Sequence, residues 1–170
     1  MITKELIHPK SIVVVGASQD VKKPGGKILK NIIDNRFAGE LFVVNPKEKE
    51  IQGIKCHADV NDLPDVDLAI LAIAARFCPE TVEILAKQKN TKAFIILSAG
   101  FSEENAAGKE LEQKIVKTIN EAGACLIGPN CVGMMNSFHS SVFTSPIPKL
   151  EPKGIDFISG SGATAVFILE

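Results

Sequence analysis

Glycine pairs set beside lysines are the first residues of this chain with an evident chemical use. Gly16, Ala17, Ser18 and Gln19 follow an apolar run, and Lys22, Lys23, Pro24, Gly25 and Gly26 open the next segment. Glycines there let an anion approach backbone N–H groups, a helix N-terminus favours negative charge, and the lysines add mobile positive charge. The spacing is not G-x-G-x-x-G, so the nicotinamide fingerprint is missing at its most specific point. The next apolar run ends in Asn45, Pro46 and Lys47, where an NAD site needs a carboxylate for the ribose 2′-hydroxyl. An amide and a cation suit a phosphorylated ribose or a pyrophosphate instead; NADP stays formally open and NAD is disfavoured.

Further along, Ala74, Ala75, Arg76 and Phe77 end one apolar run, and Ser98, Ala99 and Gly100 end another. Small residues at such ends leave room for a ligand. Arg76 is either a phosphate or adenine-side contact or a solvated cation, and Ser98 either bonds a ligand or caps its own turn. Gly128, Pro129, Asn130, Cys131, Val132 and Gly133 form a rigid turn or helix start. A nucleophilic Cys131 would need a base, and none of His8, His57 and His139 is placed by sequence to serve. Ser159, Gly160, Ser161 and Gly162 make a second phosphate-sized nest of N–H and hydroxyl donors. Together the two nests suggest facing anion sites, one in each of two domains.

Apolar runs alternating with helical-period segments must position these residues, and that alternation predicts consecutive βα units on a parallel sheet. Strands are expected at Ile12, Val13, Val14, Val15; at Leu41, Phe42, Val43, Val44; at residues 68–73; at Phe94, Ile95, Ile96, Leu97; and at Ala124, Cys125, Leu126, Ile127. Helices are expected with stripes of Ile28, Leu29, Ile32, Ile33, Phe37, then Val82, Leu85, Ala86, then Leu111, Ile115, Ile119. The last of these is expected to carry Glu103 and Glu104 near its start and Lys114 and Lys117 near its end, matching the helix dipole. The result is an α/β, doubly wound open sheet over residues 1–136. Residues 137–154, rich in Ser, Thr, Pro and Gly, read as a linker. Ile155, Asp156, Phe157 and Ile158 read as a new strand, followed by the first helix of a second domain over residues 155–170 that the chain barely enters.

Composition narrows the function classes. With 19 Lys+Arg against 20 Asp+Glu in 170 residues, there is no global field for nucleic acid or membrane. No run approaches the ~20 apolar residues of a spanning helix, and the N-terminus lacks the apolar core of a signal peptide. The absence of Trp and Tyr weakens base stacking. Cys56, Cys78, Cys125 and Cys131 show no metal spacing and read as reduced thiols of a cytoplasmic protein.

VVVGAS, KPGGK, VNPK, LSAGF, GPNCVG and ISGSGA, in that order, resemble the N-terminal part of NDP-forming acyl-CoA synthetases. That family includes ADP-forming acetyl-CoA synthetase and is similar to the succinyl-CoA synthetase alpha subunit. The resemblance implies a Rossmann-like CoA-binding domain and the start of a flavodoxin-like domain. It implies a ligase that joins an acid to CoA through acyl phosphate and phosphohistidine intermediates, using ADP or ATP with Mg2+ and phosphate. By the same resemblance, Gly16, Ala17, Ser18, Gln19, Lys23, Pro24, Gly25 and Gly26 form the first CoA loop. Asn45, Pro46 and Lys47 meet the CoA nucleotide, while Ala74, Ala75, Arg76, Phe77, Ser98, Ala99 and Gly100 line the other strand ends. Asn130 and Cys131, with Ser159, Gly160, Ser161 and Gly162, correspond to two helix starts that hold the phosphohistidine.

The chain departs from the pattern in three places. The phosphorylated histidine of the family lies beyond Glu170, so no catalytic residue is expected in this chain. Gly160 replaces the usual glutamine or arginine of the S-x-S-G loop, and Ala74 replaces a strand-end proline. The expected partners are CoA or acyl-CoA and the remaining ligase domains or subunit, with self-association open through a face left bare. No ligase turnover is expected from these residues alone. The alternatives are a stand-alone CoA-binding regulatory module and a nicotinamide-binding protein of the same fold.

Overall fold

Ile12, Val13 and Val14 are wholly shielded from solvent, as a strand covered on both faces requires. The computed structural model describes residues 2–145, 147–148, 150–151, 153 and 157–164. A short helix α1 (Lys4–Ile7) precedes strand β1 (Ser11–Val15), helix α2 (Pro24–Asp34) and strand β2 (Glu40–Val44). A hairpin of β3 (Glu50–Ile51) and β4 (Ile54–His57) follows, then β5 (Leu68–Leu71) and α3 (Cys78–Gln88). The chain continues through β6 (Ala93–Ile96), α4 (Ala106–Glu121), β7 (Cys125–Ile127), β8 (Gly133–Met135) and β9 (Ser140–Val142).

The main sheet has the order β3-β4-β2-β1-β5-β6-β7 and is parallel except for β3. Alternate residues of each strand feed two cores. Val13, Val15 and Leu71 pack with Val82, Leu85 and Ile115 of α3 and α4. Ile12, Val14 and Ile70 pack on the opposite face with Ile28, Leu29 and Ile32 of α2. The expected doubly wound architecture is therefore present, and all five expected strands lie in it.

Several local expectations are corrected. The main sheet carries seven strands, because β3 and β4 are too short to show an apolar run. The β5 ladder stops at Leu71, although Ala72 N–H still donates to Val15 O at 2.8 Å. Glu103 and Glu104 precede α4 rather than opening it. Asn105 is its N-cap, with the side chain accepting from Gly108 N–H. Within 137–154, residues Ser140, Ser141 and Val142 form a buried strand paired antiparallel with β8. Serines give this strand the texture of a linker, but it is held on α2 by Asn31 Nδ2, which donates to Val142 O at 2.6 Å. Of the strand expected at 155–158, Ile155 and Asp156 lie outside the described residues, while Phe157 and Ile158 are exposed and in no strand. Residues 162–164 are helical; the remainder of the expected helix lies outside the described residues.

Candidate functional site

β1 bonds to β2 on one side and to β5 on the other, so the winding of the sheet reverses beyond Val15 and Leu71. In an open α/β sheet that reversal leaves a crevice at the carboxyl ends of the strands, where ligands bind. Gly16 turns there with φ +83°, and a Cβ on it would fall 2.5 Å from Ala72 O. A Cβ on Gly25 would lie 2.1 Å from Gly16 O, and one on Gly26 2.1 Å from Asp20 O. The glycine pair thus lets the start of α2 seat directly against the end of β1. Pro24 occupies the first turn of α2, which has no side-chain cap and no acidic residue. Pro24 has no N–H, and the Gly26 and Lys27 N–H groups turn back to Lys23 O at 3.0 and 2.9 Å, so among the described residues the Gly25 N–H is left at the positive end of the helix dipole beside the crevice rim.

Lys22, Lys23 and Lys47 are exposed around this rim, and none of them has a carboxylate partner among the described residues. Asn45 fastens β2 to the loop: its Nδ2 donates to Ala17 O at 2.9 Å, while its Oδ1 accepts from Lys47 N–H at 2.9 Å. Pro46 follows on the surface, so Lys47 is set by the Asn45 side chain. Ser18 Oγ accepts from Asp20 N–H at 3.1 Å, folding the loop back on itself.

A residue that the sequence reading missed completes this arrangement. Gln52, at the β3–β4 turn, donates from Nε2 to Ser18 O and to Gly26 O, both at 2.9 Å. Its backbone N–H donates to Gln19 Oε1 at 2.7 Å. The only sequence signal was Gln52-Gly53 between short apolar positions, a weak form of the Asn-Gly hairpin signature.

On the other side of β1, Ala74 precedes a 3-10 turn of Ala75, Arg76 and Phe77. The Arg76 guanidinium lies 4.5 Å from the Phe77 ring centroid, and both side chains are exposed. Ser98 Oγ donates to Ile73 O, and Ser98 O accepts from Asn130 N–H at 2.9 Å. Ser98 therefore laces three strand ends together. Pro24, Ala72, Leu97, Ser98 and Phe143 enclose a small pocket of about 100 Å³ at these ends; Phe143 was not foreseen. Ala99 is exposed, while Gly100 N–H, at φ +105°, already donates to Glu103 Oε1 at 2.7 Å. That bond, with others from the backbone of the same turn, holds the Glu103 carboxyl below its ordinary range. A broader groove of about 400 Å³ along α4 contains none of the foreseen residues.

The turn at Asn130 and Cys131 is not a helix start. Asn130 has φ +53° and the chain runs on into β8, because paired backbone in the β8–β9 ribbon takes the place of helical bonds. Cys131 Sγ donates to Ile96 O at 3.3 Å. Burial pushes its thiol up to about 11, against the weaker pull of backbone bonds at Gly133 and at Cys131 itself. The turn nevertheless meets the second nest, since a Cβ on Gly162 would fall 2.2 Å from Val132 Cγ2. Ser159 Oγ donates to Ser161 O at 2.9 Å and accepts from Ser161 N–H at 3.0 Å, and Ser161 Oγ accepts from Thr164 N–H at 3.4 Å. Among the described residues, nothing lies within 4 Å of a Cβ position at Gly160.

Among the described residues no group of three or more His, Cys, Asp or Glu could hold a metal ion, and no helix is long and apolar enough to cross a membrane. His139 is buried, with Nε2 2.8 Å from Leu6 O and Nδ1 2.8 Å from Ser141 Oγ. It ties α1 to β9 away from the crevice.

A mainly parallel sheet reversing beside a glycine-lined, uncapped helix start defines a Rossmann-like domain. Residues 10–137 match the family model described as CoA binding domain, and the chain belongs to that family. Acetate–CoA ligase [ADP-forming] II of Archaeoglobus fulgidus is 37% identical over 161 residues, covering 94% of this chain and 24% of the relative. The alpha subunit of acetate–CoA ligase [ADP-forming] II of Pyrococcus furiosus is 37% identical over 163 residues, covering 95% of this chain and 35% of that subunit. The acetyl-coenzyme A synthetase 1 of Ca. Korarchaeum cryptofilum, solved with phosphate and ADP, superposes with a TM-score of 0.81 at 30% identity, covering 98% of this chain and 35% of that one. The chain thus spans between about a quarter and a third of the length of these relatives.

Proposed function

We propose that the crevice beyond β1, β2 and β5 holds CoA as part of an ADP-forming acyl-CoA ligase of the acetate–CoA ligase kind. One observation carries the reading. The uncapped start of α2 and Lys47, which has no carboxylate partner among the described residues and whose backbone N–H is held by Asn45, flank the reversal of the sheet in a chain of the CoA binding domain family. CoA carries a ribose 3′-phosphate and a pyrophosphate, and these are anions that the positive end of a helix and lysines attract. Gly16 and Gly25 keep side chains out of the approach, and Arg76 with Phe77 offers a cationic, aromatic edge to the adenine side.

In such a ligase an acyl phosphate is formed, and its phosphoryl group passes through a histidine to the nucleoside diphosphate. The proximity of Gly162 to Val132 supports a role for the 159–162 nest and the Asn130 turn beside that phosphoryl group. The high-lying Cys131 thiol argues for packing rather than covalent chemistry there. ADP or ATP, Mg2+ and phosphate belong to other parts of the ligase in this reading, and no step through Mg2+ is assigned to these residues. The free cysteines suit a cytoplasmic setting.

Calorimetric titration of CoA and dephospho-CoA into the wild type and Lys47→Ala tests the reading. A charge-assisted phosphate contact of roughly 1.5–3 kcal/mol predicts about a 10- to 150-fold loss of CoA affinity in the variant. The loss should be smaller for dephospho-CoA if Lys47 meets the ribose phosphate. Wild type that binds no CoA at about 1 mM overturns it.

A further inference from the structure

We infer that Gln52 is a positioning residue of the phosphate-binding loop, holding its two ends at a fixed width from outside the site. The inference rests on the CoA reading above for what the loop binds, but the clamp itself is a property of the free chain.

Ser18 and Gly26 lie eight positions apart, one just after β1 and the other in the first turn of α2. A single side-chain amide spends both of its hydrogens on them, at 2.9 Å each. Gln19 returns the contact by accepting the Gln52 backbone N–H at 2.7 Å. The other bonds of the loop among the described residues are local ones at Ser18, Asp20 and Lys23, with Asn45 holding Ala17 O just before it. Gln52 is thus the side chain that spans the loop from one end to the other, and the width of the backbone that would meet a phosphate is set from the β3–β4 hairpin.

The backbone at Gln52 points the same way. Gln52 and Gly53 have φ of +50° and +83°, the pair of left-handed conformations of a type I′ hairpin turn. Asn is the residue favoured at the first of these positions, and Gln gains nothing there from its extra methylene. A position at which local preference is overruled is expected where a side chain serves something beyond its own turn. The extra methylene is what lets the amide reach across to Ser18 and Gly26.

The decisive variant is Gln52→Asn, which suits the turn better and shortens the reach. Its thermal unfolding midpoint should fall by no more than a few degrees, because the better turn residue offsets part of the two lost bonds. Its CoA dissociation constant should rise about tenfold, the scale of one lost hydrogen bond and a loosened loop. Amide hydrogen exchange over residues 16–26 should accelerate in the free protein while the β1 and β5 amides stay protected. A second variant, Gln52→Glu, keeps the length but sets a carboxylate against two carbonyls, and should give the same two signatures. The inference is overturned if residues 16–26 exchange at the wild-type rate in Gln52→Asn, or if CoA affinity stays within about twofold of wild type. Should the wild type bind no CoA, the CoA reading fails by itself, and the exchange measurement still decides the clamp.

Discussion

The Asn45 side-chain amide donates to the Ala17 carbonyl at 2.9 Å while its oxygen accepts from the Lys47 N–H at the same distance. One amide therefore joins the ends of two neighbouring parallel strands and aims the lysine that follows. Asn45→Asp keeps the acceptor for Lys47 but turns a carboxylate toward the Ala17 carbonyl. It should destabilise the chain by about 1–3 kcal/mol, several degrees in Tm for this length, and weaken CoA binding further by adding negative charge beside its phosphates. Differential scanning calorimetry with and without CoA reads both effects. An unchanged Tm would show that the Ala17 bond contributes little.

Gly25→Ala sets a methyl where Gly16 O stands 2.1 Å away and Ala72 Cβ 3.3 Å away. The backbone oxygen cannot retreat without moving β1, so α2 must lift off the sheet. A cost of about 1–3 kcal/mol follows from overpacking, together with loss of CoA affinity. Gly160→Ala is the control, because no atom of the described residues lies within 4 Å of its Cβ position; its Tm should equal that of the wild type. Equal Tm values for both variants would refute the close seating of α2.

Burial pushes the His139 imidazole below its ordinary value; the bond to Leu6 O opposes this and the neighbouring His8 adds to it. The unfolded chain then takes up a proton near the ordinary pKa of about 6.5, while the folded chain does so only at lower pH. Between the two values the unfolded state binds more protons, so stability rises with pH through that window. The contribution is complete above about pH 6.5 and is lost as pH falls toward the depressed folded value. Urea midpoints at about pH 7.5 and about pH 5.5 should therefore differ more in the wild type than in His139→Gln. Identical pH slopes would remove His139 as the cause.

With its thiol pushed up to about 11 by burial, Cys131 should be thiolate in only about one molecule in ten thousand at about pH 7. Iodoacetamide labelling followed by mass spectrometry should find Cys131 slow in the folded chain and ordinary in urea. Labelling at the same rate in both states would contradict its burial, and with it the packing role assigned to this turn.

Much of this molecule could be read along the chain, because its strands at Ile12, Leu68 and Phe94 are central and buried on both faces. Such strands must be apolar at every position, and that is a local property. The glycines at 16, 25 and 26 and the Asn45-Pro46-Lys47 sequence were legible for a related reason: a strand end seated closely against a helix start restricts residue type one position at a time. The β3–β4 hairpin, the β8–β9 ribbon, Gln52 and Phe143 were not legible. Edge strands of two to four residues have no periodicity to display, and Ser140 and Ser141 are buried only because α2 supplies Asn31 to bond the strand they belong to. Residue types and their order determined which strand ends carry the glycines and lysines of the proposed anion site. Tertiary structure alone decided that Gln52, from 26 residues beyond Gly26, would set the width of the loop, because a hydrogen bond between distant segments leaves no trace in the local pattern of either.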